Sequence, residues 1–206
     1  MIGKNNLERA NLLLSMAQTG LEFSKDPHDI GRYKKIRTIA AEIAAEASKN
    51  EAQEIERIFK LESGYATPKI DVRAAVFRKG RILLVRERSD GCWTLPGGWA
   101  EVGDTPSESV TREVYEESGF ETRAVKVLAL FDRQKHGHPA SLFHIFKIFL
   151  LCEISGGSAR TSDETSEVGF FAEQDLPELS RQRVTPEQIA VMFEHYRDPG
   201  RPADFD

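Results

Sequence analysis

Three glutamates, Glu113, Glu116 and Glu117, stand at i, i+3 and i+4, with Arg112 directly before them. On a helix this spacing makes them neighbours along one flank. Like charges so placed cost only about 0.2–0.5 kcal/mol per pair on an isolated helix, so repulsion alone does not demand a cation. The neighbourhood points further. Trp93-Thr-Leu-Pro-Gly-Gly98 delivers a strand into a glycine turn whose carbonyls can approach the same acids. Arg112, four residues before Glu116, can orient a carboxylate by a charge-assisted hydrogen bond. Carboxylate and carbonyl oxygens are the ligands that hard cations such as Mg2+ take. A solvated acidic helix face is the plain alternative.

The helix that must carry these acids marks its own ends. Thr105 can cap it, Pro106 suits its first position, and Glu108, three residues after Thr105, completes a capping box. Gly119 can take the left-handed backbone that ends a helix, and Phe120 can pack back onto the last turn. Val110 and Val114 lie on the adjoining face, where they can anchor the helix to a sheet.

With those elements in view, the stretch from Gly98 to Phe120 resembles the signature of the Nudix hydrolases, Gly-x5-Glu-x7-Arg-Glu-U-x-Glu-Glu-x-Gly-U. Every fixed position matches except Asp104, one methylene shorter than the family's Glu. The resemblance implies a metal-dependent hydrolysis of a phosphoanhydride, with Mg2+ (or Mn2+) held by Glu113, Glu116 and Glu117 and helped by a carbonyl of Gly97 or Gly98. Arg112 is expected to orient the acids. It also implies that a loop acid activates water, and Glu164 and Glu167 are the joint candidates, with Asp163 beside them. In such chemistry a metal neutralises the diphosphate and lowers the pKa of a bound water. Positioning and electrostatics then carry most of the catalysis.

The implied fold is α+β, a Nudix αβα sandwich around a mixed sheet, preceded by a small all-α N-terminal domain. The expected division is residues 1–64 and 65–206. Leu7, Ala10, Leu14 and Ala17 recur at helical spacing, and Asp26-Pro27 opens a second helix with a stripe from Ile30 to Ala44. Glu51 to Lys60 reads as a third. After the linker Ser63 to Pro68, Ile70–Phe77 and Arg81–Arg88 read as a hairpin. Ala124–Phe131, Leu142–Ile154 and Val168–Phe171 are further strands, the second apolar on both faces and so central. Thr185-Pro186-Glu187 opens a last helix, and the tail from Asp198 reads as extended. Helices that bury little alone suit docking on a partner, so a homodimer is expected.

Outside the signature, Arg86 and Arg88 share a strand face and His136 and His138 sit in a turn. All four are candidates for contacting a substrate phosphate or base. Arg73 is a weaker case of the same kind. Interior packing is the default for His144, Trp93 and Trp99. A net charge of −5 without a long basic run announces no nucleic-acid groove. No apolar run reaches membrane-spanning length, and Met1-Ile-Gly-Lys-Asn-Asn does not read as a signal peptide. Two cysteines far apart, Cys92 and Cys152, suit reduced thiols in a cytoplasm. Over most of its length the chain is similar to a bacterial Nudix subgroup that includes CDP-choline pyrophosphatases, its members often labelled ADP-ribose pyrophosphatases. The expected substrate is therefore a small nucleoside diphosphate derivative. A housecleaning nucleoside triphosphate pyrophosphatase and a non-catalytic Nudix-fold sensor are the alternatives.

Overall fold

The computed structural model describes residues 6–48 and 51–206. The reading of the first residues as no signal peptide falls almost wholly outside them. The chain divides into two compact units, one reaching to Pro68 and taking in Ala140–His144, the other made of Lys69–Pro139 and Ile145–Asp206.

The first unit holds α1 (Asn6–Phe23), α2 (Pro27–Ser48) and α3 (Ala52–Lys60). Leu7, Ala10, Leu14 and Ala17 of α1 are all buried, as the spacing predicts, and Leu7 and Ala10 meet Ala41 and Ala44 of α2 and Ile55 of α3. Small residues let the helices approach closely. The Asp26 carboxylate accepts from the amides of His28 and Asp29 and so starts α2. Segment 140–144 belongs here too: Leu142 packs on the helical core and Asn11 Nδ2 donates to Ser141 O at 2.8 Å. No described helix is both long and apolar enough to cross a membrane.

The second unit is built on a mixed sheet of β1 (Lys69–Arg78), β2 (Arg81–Glu87), β3 (Trp93–Thr94), β4 (Phe120–Asp132), β5 (Ile145–Gly157), β6 (Thr165–Phe171) and β7 (Asp204–Phe205). The strand order is β3-β2-β1-β5-β4-β7, with β6 paired to β2. Positive φ at Lys79 and Gly80 closes the β1–β2 hairpin. β5 lies between β1, which it joins in parallel, and β4, its antiparallel partner. Its central place agrees with its apolar sequence, although the strand begins at Ile145 and not at Leu142.

Side chains alternate across β1. Val72, Ala74 and Val76 face α4 (Pro106–Ser118), meeting Val110 and Val114. Ala75 and Phe77 face α5 (Pro186–Arg197), meeting Ile189, Met192 and Phe193. Both helices carry the expected proline and a complete capping box, Thr105 with Glu108 and Thr185 with Gln188.

Three expectations are corrected. His144 is exposed and lies outside the strand, because β5 starts one residue later. Trp99 is 49% exposed, while Trp93 packs edge-on against Phe171 at 4.7 Å. The tail is not merely extended: Lys126 Nζ donates to Pro199 O and Arg201 O, which helps lay β7 along β4.

Candidate active site

β1 is the template for the glycine turn. Val72 N donates to Gly98 O at 2.8 Å, Ala74 N to Pro96 O at 2.9 Å, and Ala100 N to Ile70 O at 3.0 Å. The turn presses so closely that a Cβ on Gly97, at φ 140°, would fall 2.0 Å from Val72 O and 2.9 Å from Arg73 Cα. Only glycine fits there. A Cβ on Gly98 would lie 3.1 Å from the Glu113 carboxylate, so the turn and the acid helix are in direct contact.

The three glutamates are buried to different depths. Glu116 has a 56% exposed side chain and Glu113 a 15% exposed one, while Glu117 is buried. Glu117 Oε2 accepts from Gly97 N at 2.9 Å, and its carbonyl accepts from Thr165 Oγ1 at 2.7 Å. Burial pushes the Glu117 carboxyl up to about 8; Arg73 and the Gly97 amide pull the other way, while Glu113 and Glu87 add to the rise. Burial also raises Glu113, against the pull of Arg112. Burial thus disfavours the charged form of both carboxyls, and a nearby cation would restore it.

Arg112 partly compensates. Its Nη1 donates to Glu113 at 3.0 Å and to Glu116 at 3.1 Å, and its Nε lies 3.4 Å from Asp104. Asp104 therefore approaches the arginine, and its carboxylate also accepts from Ser109 Oγ at 3.4 Å. Among the described residues Arg112 Nη2 has no hydrogen-bond partner; Glu101, at 3.8 Å, is too far.

Among the described residues no group of three or more His, Cys, Asp or Glu side chains is gathered tightly enough to hold a metal ion. Arg112 lies between Glu113 and Glu116. The donor set nonetheless fits a hard divalent cation: carboxylates only, against a carbonyl-lined turn, with Glu117 short of positive charge. The Gly98 carbonyl already gives one lone pair to Val72 N.

The remaining candidates are dispersed. Arg86 donates to Gly91 O and at 2.6 Å to Glu167, so these two candidates pair with each other on the surface. Arg88 Nε reaches Ser162 O, and its amide donates to Glu164 O. His136 stacks on Phe131 and meets Asp206 at 3.1 Å. His138 Nδ1 meets Arg181 O at 2.8 Å, and burial holds its pKa down at about 4.

Sequence reading missed a buried charge network beneath the turn. Arg73 clasps both Asp71 carboxylate oxygens at 2.9 and 2.8 Å and donates to Leu95 O at 3.1 Å. Lys147 Nζ donates to the same Asp71 at 2.6 Å. Burial alone would raise Asp71; Arg73 and Lys147 reverse this and hold it at about 2. Glu87, also buried, pairs with Arg183 at 3.1 Å and adds negative charge near Glu117. Asp71 and Arg73 inside one apolar strand and Lys147 inside another were the signals available, and Arg73, expected to contact phosphate, is instead engaged by Asp71.

Comparison with known proteins now decides the family. Residues 67–193 match the NUDIX domain, and residues 4–59 match a UDP-X-like, N-terminal oligomerisation domain. The chain belongs to the Nudix hydrolases. It is 44% identical over 200 residues to the Bacillus subtilis protein YjhB, to which ADP-ribose pyrophosphatase activity is ascribed, covering 97% of this chain and 96% of that one. A crystal structure of a UDP-X diphosphatase superposes with a TM-score of 0.65 at 33% identity, covering 98% of both chains. An ADP-ribose pyrophosphatase from Streptococcus suis gives 0.63 at 41% identity, covering 68% of this chain and all of that one. This Nudix hydrolase therefore shares both of its sequence regions with the UDP-X diphosphatase.

Proposed function

We propose that this Nudix hydrolase cleaves the phosphoanhydride of a nucleoside diphosphate joined to a sugar or similar group, releasing a nucleoside monophosphate and a phosphorylated product. ADP-ribose is the first substrate to test, because YjhB and the Streptococcus suis structure bear that activity in their names. CDP-choline is the second. The observation that carries the reading is Glu117, buried against Gly97 N and short of positive charge.

Glu113, Glu116 and Glu117, with the carbonyl of Gly97 or Gly98, would hold Mg2+ or Mn2+. When bound, such a cation screens a diphosphate and acidifies water. The protein's own part is positional. Gly97 N fixes Glu117, and Arg112 keeps Glu113 and Glu116 in place through its Nη1. Glu164 is the better candidate for the base, since the Glu167 carboxylate is engaged by Arg86. Arg86, Arg88, His136 and His138 remain the candidates for substrate contact.

The same reading divides the protein into a helical domain over 1–64 and a hydrolase domain over 65–206, working as a homodimer in the cytoplasm. The match to an oligomerisation domain supports the dimer, as do Leu12, Met16 and Phe23, exposed along α1. Two free thiols, Cys92 and Cys152, suit a reducing compartment.

The test is a panel of ADP-ribose, CDP-choline, a UDP-sugar and nucleoside triphosphates, each with EDTA, Mg2+ or Mn2+, on the parent and on Glu117→Gln. Metal-dependent release of a monophosphate by the parent alone is expected. Equal rates for parent and variant would reject the assignment, and preference for triphosphates would favour a housecleaning role.

A further inference from the structure

The chain has two tryptophans, and the fold treats them differently. Trp93 packs edge-on against Phe171. Trp99, directly after Gly98, leaves 49% of its surface to solvent, and among the described residues no aromatic ring packs on it. Its backbone is nonetheless pinned on both sides. Val72 N donates to the preceding Gly98 O, the following Ala100 N donates to Ile70 O, and Trp99 itself stands opposite Asp71 in an antiparallel bridge.

Residues opposed across such a bridge project to the same side. The indole therefore shares the sheet side of Asp71, where alternation along β1 also puts Ala75 and Phe77, which pack with α5. Gly98 and Ala100 face the other side: a Cβ on Gly98 would lie 3.1 Å from the Glu113 carboxylate, and Ala100 packs with Val110 and Val114. The turn thus carries the acids on one side and an open indole on the other, one residue apart. Glu101 to Asp104, which follow, are all exposed, so solvent reaches the turn just beyond the ring. Exposed apolar side chains standing singly are ordinary. An indole on pinned backbone, beside a carbonyl that is a candidate metal ligand, is a different case. It offers a flat face at little cost in conformational freedom.

We propose that Trp99 is a specificity residue of this hydrolase, a platform on which the nucleobase of the substrate stacks while the diphosphate lies at the acids. The proposal rests on the hydrolase reading above and names what holds the part of the substrate that the acids do not touch. Every nucleobase has a π-face, so stacking favours nucleoside diphosphate derivatives over diphosphates that lack a base, without choosing among bases.

The experiment pairs tryptophan fluorescence with kinetics on the full chain. AMP, CMP, UMP and ribose 5-phosphate are titrated in the presence of Mg2+, with excitation at the red edge of the indole band, where the bases do not absorb. At least one nucleotide should quench the parent saturably, and ribose 5-phosphate should not. Trp99→Phe should lose the response, because Trp93, the tryptophan that remains, packs against Phe171. With the best substrate, Trp99→Ala should raise KM by about tenfold and leave kcat within about twofold, as the loss of one stacking contact predicts, and Trp99→Phe should recover most of the KM. No quenching by any of the three nucleotides overturns the proposal, as does quenching that survives in Trp99→Phe, equal quenching by ribose 5-phosphate, or an unchanged KM in Trp99→Ala. Should Trp99→Ala not fold, the quenching in the parent and in Trp99→Phe decides. The hydrolase reading fails separately, when the parent splits no phosphoanhydride. Nucleotide quenching through Trp99 would then still uphold the platform as a nucleotide-binding feature, and its absence would overturn it.

Discussion

On α4, negative charge collects from neighbouring turns of one helix. Under the glycine turn, positive charge collects from strands distant in sequence, with Asp71 and Lys147 separated by 76 residues. The two regions meet at Arg73, which binds Asp71 and also acts electrostatically on Glu117. The acid flank is graded from an exposed Glu116 to a buried Glu117 and is only partly compensated, by Arg112 on Glu113 and Glu116. The base is uniformly buried and hydrogen-bonded around Asp71. A region short of compensation is suited to binding, whereas a region of paired charges ties elements together. The two should therefore break differently, one in rate and the other in stability.

The largest effect is expected on the acid flank. Glu117→Gln should lower the turnover of the best substrate by about 100-fold or more, in the range seen when one electrostatic contact to a transition state is lost. Its stability should stay within about 1 kcal/mol of the parent at neutral pH without metal, because burial already disfavours the charge and Gln can still accept from Gly97 N. Steady-state rates beside urea unfolding would check both halves. A variant that loses several kcal/mol and keeps its rate would erase the contrast.

Arg73→Ala should do the reverse. It leaves Asp71 with Lys147 alone and leaves Leu95 O only the Thr94 hydroxyl, at 3.3 Å, as a donor. Breaking a buried pair from one side costs about 3–5 kcal/mol. Urea unfolding should show this loss, and a change near zero would mean that the network ties nothing.

This asymmetry explains what could be read from the chain alone. The ends of α4 were legible because caps are local: Thr105, Pro106, Glu108 and Gly119 act within a few residues of themselves. The acid flank was legible for the same reason, since helical spacing fixes neighbours. Asp71 facing Lys147 was not, because a parallel register between β1 and β5 is set by the whole sheet. Segment 140–144 escaped as well: a polar turn followed by Leu142 and Phe143 reads as a strand start, yet Leu142 packs on α3's cluster and Phe143 lies 5.9 Å from Phe59. The tail's pairing with β4 depends on Lys126 reaching carbonyls 73 and 75 residues away.

A smaller effect separates Asp71 from ordinary surface acids. Its pKa of about 2 lies below the usual 3.8, so the folded state binds fewer protons than the unfolded one between those values. Stability from this group is therefore complete above pH 3.8 and is lost as pH falls through about 2. The loss should be about 2 kcal/mol. Urea unfolding at pH 5 and near pH 2 should show this component in the parent and not in Asp71→Asn, which is less stable at both. Parallel pH profiles for the two proteins would remove Asp71 as the hub.

The smallest effect belongs to Arg86 and Glu167, which sharpen the comparison from outside both regions. Their pair spans β2 and β6 at 2.6 Å, with side chains 43% and 53% exposed. Solvent screens such a pair, so a double-mutant cycle with Arg86→Ala and Glu167→Ala should give a coupling under about 1 kcal/mol in stability. The rates of the same variants carry more information. If Arg86 contacts substrate phosphate, Arg86→Ala raises KM while stability barely moves, and Glu167→Ala, by freeing the guanidinium, does not. If neither rate changes, the pair is surface structure, and substrate contact falls to Arg88, His136 and His138.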